Sequence, residues 1–146
     1  MIGILIISHG TLGESLIHCA SHVLNKRPPR LRQLGVTAQD DPTLLLPQAR
    51  SLIKELDDGS GVLILTDIFG ATPGNVVSRV LADGRVEGVS GVSLPMLLRV
   101  LTGRHGAQRG QAHAPARGCQ TNPGCGIHGF SHVFHELSQV LVKMAG

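Results

Sequence analysis

Two polar residues, a histidine and an aspartate, stand just after strongly apolar runs in the first part of the chain. His9 follows the run at residues 2–7, and Asp67 directly follows the run at residues 62–66. An unprotonated imidazole nitrogen is nucleophilic near neutral pH. A carboxylate that accepts the other ring N–H selects one tautomer and stabilises the ring when it becomes positive. The pair therefore indicates nucleophilic chemistry at His9, with Asp67 orienting the ring.

Small and hydroxyl residues beside this pair suit a transferred phosphoryl group. Gly10 and Gly70 allow close approach of the backbone, and Thr11 and Thr72 stand where helices are predicted to begin. Helix N-termini favour phosphate through their free N–H groups and their dipole. The two threonines are also expected to cap these helices, and Glu14 completes a capping box with Thr11.

Hydrophobic spacing divides residues 1–102 into strands that alternate with helices. The alternation predicts an α/β protein with a doubly wound, mainly parallel sheet and helices on both faces. Strands 1 and 3 are the most apolar, so they are expected at the centre, in the strand order 2-1-3-4. The predicted strands are residues 2–7, 31–36, 62–66 and 86–93, and the predicted helices begin near residues 12, 42, 72 and 96.

The predicted order places the carboxyl ends of strands 1 and 3 side by side, at the switch point where ligands bind in open α/β sheets. His9 and Asp67 stand at these two ends. A histidine after a strand is otherwise commonly a turn residue that bonds to nearby backbone, and Asp67 can cap its own turn. Convergence of the two residues on one site favours the functional interpretation.

Composition narrows the classes of protein and partner. The 146 residues include no Trp or Tyr and only three Phe, so the aromatic platforms of single-stranded nucleic-acid binders are not expected. The three cysteines have no framework spacing, which is typical of a reducing cytoplasm. No run has the length of a membrane span, and no signal peptide is predicted. Cysteines and histidines near the end match no common zinc pattern, so neither a metal nor a cofactor is predicted.

The character of the chain changes after residue 102. Residues 103–129 are rich in Gly, Ala, Arg, Gln, His and Pro and have no hydrophobic periodicity, which predicts an irregular segment. Residues 130–146 have apolar residues at helical spacing, which predicts a terminal amphipathic helix. The composition of the irregular segment is typical of a shifted reading frame in GC-rich DNA, and we state this as a hypothesis.

Three stretches carry a likeness to a known family. They are I-I-S-H-G-T-L-G-E-S-L at residues 6–16, T-D-I-F-G-A-T-P-G-N-V-V-S-R at residues 66–79, and G-V-S-L-P-M-L-L-R at residues 91–99. They stand in continuous order within residues 1–102 and include all three predicted site-forming loops. The sequence resembles the enzyme IIA component of the mannose family of the phosphoenolpyruvate-dependent sugar phosphotransferase system. Residues 1–102 are accordingly expected to form its phosphotransfer domain.

The resemblance implies a cytoplasmic phosphotransferase that accepts a phosphoryl group from the phosphocarrier protein HPr. It would hold the group on His9 as phosphohistidine, with Asp67 as orienting carboxylate, and pass it to a IIB component in sugar uptake. A homodimer and peripheral association with a membrane permease are further expectations. The expected phosphate-binding residues are Gly10, Thr11, Thr66, Gly70, Thr72 and Ser93.

Other functions remain open at this point. A regulatory module whose phosphorylation at His9 signals to a partner would have the same site residues. The turn Ser8-His9-Gly10 after a buried strand is also similar to turns of histidine phosphatases and tetrapyrrole chelatases. A phosphatase is expected to have arginine at the position of Ser8, and a chelatase needs further metal-facing residues at strand ends.

Overall fold

Strands and helices alternate along the chain in the computed structural model, which describes residues 1–68 and 70–104. The strands are β1 (Gly3–His9), β2 (Leu31–Val36), β3 (Val62–Thr66) and β4 (Val86–Ser90). The helices are α1 (Leu12–Val23), α2 (Pro42–Leu56), α3 (Thr72–Ser78) and α4 (Leu94–Gly103). All strand pairs in this sheet are parallel, in the order β2-β1-β3-β4, so the predicted doubly wound α/β fold and its strand order are confirmed.

Strands β1 and β3 lie at the centre of the sheet because both of their faces are covered. Ile4, Leu5, Ile6 and Ile7 have no exposed surface, although successive side chains point to opposite faces. Full burial of one such side chain is worth about 1.5–3 kcal/mol. This explains why the most apolar runs of the sequence are the central strands.

Each face of the sheet has its own layer of helices. On one face Ile6 of β1 packs in a cluster with Ile17 of α1 and Leu97 of α4. On the other face Ile7 of β1 packs in a cluster that includes Leu45 of α2. Because the crossovers return each helix antiparallel to the strands, α1 and α3 begin at the edge of the sheet where β1 and β3 end.

Three strand boundaries differ from the prediction, the smallest difference being that β1 begins at Gly3 rather than at residue 2. Strand β1 continues to His9, because β2 continues the pairing as far as the partners His9 and Val36. Strand β4 ends at Ser90 rather than residue 93, because Gly91 has a φ of 85° and turns the chain. The predicted segments beyond residue 104 lie outside the described residues.

The helix caps are only partly those that the sequence predicts. Asp41 caps α2 as expected, and its side chain accepts the Thr43 N–H at 2.8 Å. The predicted capping box of Thr11 is wrong, since Thr11 has φ −97° and ψ 8° and its side chain accepts no N–H. An N-cap side chain normally reaches the first turn from the extended region of backbone conformation. The predicted cap by Thr72 is also wrong, because Ala71 occupies the cap position and Thr72 is already helical.

The amino edge of the sheet is held together by the carboxylate of Asp57. One of its oxygens accepts the N–H groups of Gly59 and Gly61 at 2.9 and 3.0 Å, and the other receives Arg85 Nη2 at 2.6 Å. Burial raises the pKa of Asp57, but the two backbone hydrogen bonds and Arg85 outweigh it and hold the pKa below its usual value. The ionised carboxylate therefore joins the loop after α2 to the start of β4.

We expect the stability of the protein to fall in acid partly through Asp57. A carboxyl with a lowered pKa in the folded state stabilises the fold above its unfolded pKa of about 3.9, and this contribution is lost as the pH falls through the folded value. Asp57→Asn should lower the free energy of unfolding by about 1–2 kcal/mol at pH 7. It should also flatten the decline in stability below about pH 4. Urea denaturation between pH 7 and pH 2.5 measures both effects, and identical pH curves for the two proteins would contradict this role.

Candidate active site

His9 is the last residue of β1 and lies at the carboxyl edge of the sheet. Its side chain is 47% exposed, in contrast to the fully buried residues that precede it in the strand. The pairing of β1 with β2 ends at the same place, where His9 is opposite Val36. The imidazole is therefore anchored by a buried strand and still open to a reaction partner.

Asp67 lies against His9 although the two residues are 58 positions apart in the chain. Its Oδ2 atom is 2.8 Å from His9 Nδ1 and accepts the His9 backbone N–H at 3.0 Å. The other oxygen, Oδ1, accepts the Ile68 N–H at 2.9 Å. The structure thus brings together the two residues that the sequence singles out. Each oxygen of the Asp67 carboxylate accepts at least one hydrogen bond, which fixes its orientation.

This geometry selects the tautomer of His9. An ionised carboxylate has only acceptors, so the proton of the neutral ring lies on Nδ1. Burial raises the pKa of Asp67, but the hydrogen bonds from His9 and from the Ile68 N–H outweigh it and hold the pKa below its usual value. The carboxylate is therefore ionised near neutral pH, and Nε2 carries the free lone pair. No hydrogen bond to Nε2 is found within residues 1–68 and 70–104.

The other predicted site residues are arranged around the ends of β1 and β3. Gly10 and Gly70 have φ values of 54° and 84°, so both turns need the left-handed conformation that glycine adopts freely. Thr11 is exposed at the start of α1, and Thr72 lies in the first turn of α3. Thr66 at the end of β3 is only 3% exposed, and its hydroxyl has no hydrogen-bond partner.

Ser93 is placed differently from these residues. It caps α4, and its hydroxyl oxygen accepts the Met96 N–H at 3.3 Å. Its loop still joins the site edge, because Val92 donates its N–H to the carbonyl of Thr66 at 3.0 Å. The hydroxyl of Ser93 is thus already engaged by the backbone of its own helix.

Exposed apolar side chains flank the site. They are not among the site residues that the sequence predicts. Leu12 is 41% exposed, Leu44 is 64% exposed and Ile68 is 58% exposed. Leu12 follows His9 by three residues, Ile68 is next to Asp67, and Leu44 lies in the first turn of α2 at the same edge. We call these three side chains the apolar rim.

Within the described part of the chain, no group of three or more His, Cys, Asp or Glu side chains is placed to hold a metal ion. Among the helices of residues 1–68 and 70–104, none has the length and apolar content needed to cross a membrane.

Comparison with known proteins identifies the family. The family model of the phosphotransferase system (PTS) fructose IIA component matches residues 3–115. The chain belongs to this family. The match includes both His9 and Asp67, and it continues past residue 102, where the likeness read from the sequence ends.

The relatives of this IIA chain support its resemblance to the mannose family. The mannose-specific EIIAB component of the PTS of Escherichia coli strain K12 is 30% identical over 104 residues, which are 70% of this chain and 32% of that protein. The fructose-specific EIIA component of Bacillus subtilis strain 168 is 30% identical over 103 residues, 70% of each chain. The IIA chain thus spans about a third of the E. coli protein. The predicted membership of this family is confirmed.

A solved structure confirms the fold of the IIA chain. The PTS component EIIA from Streptococcus agalactiae superposes with a TM-score of 0.66, covering 99% of this chain and 92% of that one. The two are 18% identical, so this likeness concerns the architecture alone.

We expect Asp67→Asn to change the tautomer of His9. The amide NH2 of Asn can donate to a bare Nδ1, which the carboxylate cannot do, so the variant should populate the tautomer protonated on Nε2. Imidazole ¹⁵N chemical shifts of His9 at neutral pH measure this directly. Asp58→Asn is the matched control, since Asp58 also has a lowered pKa but bonds to the amino terminus and Ser60. If Asp67→Asn keeps the His9 shifts of the wild type, the carboxylate does not select the tautomer.

Proposed function

We propose that this IIA chain is a phosphotransferase that carries a phosphoryl group on His9 between two other proteins. The donor is the phosphorylated carrier protein HPr, and the acceptor is a IIB component in sugar uptake. The observation that carries the proposal is the 2.8 Å contact between His9 Nδ1 and Asp67 Oδ2 on a half-exposed ring. This contact leaves Nε2 as the unprotonated nitrogen of the ring.

The chemical step is an in-line displacement at phosphorus. The Nε2 lone pair of His9 forms the new N–P bond while the N–P bond to the donor imidazole breaks, and the donor ring keeps that electron pair. Asp67 keeps its hydrogen bond from the Nδ1–H group of His9 and stabilises the positive charge that the ring acquires. Transfer to the IIB component repeats the step with His9 as the leaving group.

Groups that would stabilise the transferred phosphoryl oxygens stand around His9. Helix α1 begins three residues after His9 without a side-chain cap, so its first N–H groups are available to an anion. The hydroxyl of Thr66 is buried at the end of β3 without a partner. Thr11, Gly70 and Thr72 add backbone N–H groups at the same edge, whereas the N–H of Gly10 already bonds to the carbonyl of Val36 and this residue contributes its open turn. We propose Ser93 as a neighbouring loop residue with a weaker role, because its hydroxyl oxygen caps α4.

The apolar rim supports a protein rather than a small molecule as the phosphoryl donor. A single exposed apolar residue is ordinary, but a group of them at one edge of a protein is typical of a surface that another protein covers, and Leu12 and Ile68 are exposed beside His9 and Asp67 in the chain. A protein donor must bring its own phosphorylated side chain to Nε2, and a rim around His9 would hold it there. The expected homodimer and the expected association with a membrane permease stay predictions.

We expect His9→Ala to abolish phosphorylation. The protein would be incubated with phosphoenolpyruvate, enzyme I and HPr, and mass spectrometry would locate an acid-labile phosphate on His9. His18→Ala is the matched control, since His18 is an exposed histidine of α1 away from Asp67. It should be phosphorylated at the wild-type rate. Phosphate on a different residue, or none on the wild-type chain, would refute the proposal.

We expect Ile68→Ser and Leu12→Ser to weaken the encounter with phosphorylated HPr. Loss of an interface side chain that matters costs about 1–2 kcal/mol, which corresponds to a rise in KM of about 5- to 30-fold. The rate at saturating donor should change little, because neither side chain bonds to His9. Val23→Ser is the control, since Val23 is 57% exposed at the other end of α1. Equal KM values for all three variants would show that the rim does not bind the donor.

A further inference from the structure

The backbone turn that carries His9 rests on a residue of β2 that has no side chain. Gly10, the residue after His9, donates its N–H to the carbonyl of Val36 at 2.9 Å. The carbonyl of Gly10 lies directly over Gly35, the residue before Val36 in the same strand. Both polar backbone groups of Gly10 are thereby placed against β2.

Gly35 provides space and not conformational freedom. Its φ lies outside the left-handed region, so the backbone at this position would accept an L-residue. A Cβ atom at Gly35 would nevertheless come closer than 3.0 Å to the carbonyl oxygen of Gly10, which real Cβ atoms essentially never do. Any side chain at Gly35 must therefore displace the turn.

The turn leads directly into α1, which is itself held closely against the sheet. Helix α1 begins just after it, and Gly13 in its first turn is packed closely against the sheet. A Cβ at Gly13 would already be 3.1 Å from Gln33 Cβ and 3.2 Å from both Ile6 Cγ2 and Ser8 Oγ. The helix after the turn is thus fixed in place, and a side chain at Gly35 would displace the turn relative to it.

We propose that Gly35 is a positioning residue for phosphoryl transfer at His9. The backbone N–H and the Nδ1 atom of His9 both bond to the same oxygen of Asp67, at 3.0 and 2.8 Å. Displacement of the turn by a fraction of an ångström loosens both bonds at once and re-aims Nε2. A misplacement of about 1 Å can slow a reaction about 100-fold, so a smaller displacement also lowers the rate of in-line transfer. The inference rests on the proposed function only in naming the reaction that is slowed.

The test compares Gly35→Ala with Gly3→Ala. Gly3 is at the other end of β1, where a Cβ would be 2.7 Å from the Leu56 carbonyl oxygen. Both substitutions crowd a backbone carbonyl, so urea denaturation should show a comparable loss of stability. Only Gly35 supports the turn of His9, and the control thus separates a general structural defect from a positional one.

Two measurements on the folded variants decide the matter. With phosphorylated HPr as donor, Gly35→Ala should lower the saturating rate about 10- to 100-fold. Its KM should stay within about twofold, because the apolar rim is unchanged. The His9 imidazole ¹⁵N shifts should move in Gly35→Ala and stay at wild-type values in Gly3→Ala. A saturating rate within twofold of the wild type, or an equal loss in both variants, would overturn the proposal.

A measurement on the wild-type chain covers the case in which Gly35→Ala does not fold. If β2 holds the turn, the Gly10 amide should exchange with solvent as slowly as the amides of the adjoining strands, although Gly10 is exposed. Rapid exchange of this amide would refute the role of β2. If wild-type His9 is not phosphorylated at all, the proposed function fails, while the ¹⁵N shifts and the amide exchange still test the positioning by Gly35.

Discussion

The hydrogen bond between His9 and Asp67 joins the two central strands at the point where the sheet opens to solvent. It depends on the parallel register of β1 and β3, in which Ile7 is opposite Thr66. Because side chains alternate between faces, a slip of one residue would move Thr66 to the other face and take Asp67 away from the ring. The core that fixes this register is made of fully buried aliphatic side chains. Packing of the sheet and orientation of the imidazole are thus consequences of the same pairing.

The two edges of the sheet have different roles. At the amino edge charged side chains pair within the fold: Asp57 binds Arg85, and the terminal nitrogens of the buried Arg104 donate to the carbonyls of Ile2 and Pro29, although its Nε atom has no partner. At the carboxyl edge several groups are left open, among them the Thr66 hydroxyl and the first N–H groups of α1. A missing N-cap costs about 1 kcal/mol. The fold carries this cost at the edge where an anion would supply the missing acceptors.

Glycine enters the site in two physically distinct ways. Gly10 and Gly70 are needed for their positive φ values, and the space around their Cβ positions is open. Gly35 has an ordinary backbone conformation and is needed because the Gly10 carbonyl occupies the place of its side chain. A glycine inside a predicted strand can signal such a close approach, yet the sequence pattern cannot say which backbone group approaches.

The sequence by itself determined the elements, their order and the two residues at the switch point. Apolar periodicity and the Asp41 cap are local signals, and the strongly apolar character of β1 and β3 required a place with both faces covered. Tertiary structure alone decided that the backbone N–H and the Nδ1–H of His9 share one oxygen of Asp67, and that Thr11 and Thr72 do not cap their helices. It also decided that the carbonyl of Gly10 lies against Gly35. The physical reason is that local signals describe the conformation of neighbouring residues. The distance between groups far apart in the chain is decided by how the strands pair and how closely the helices pack on them.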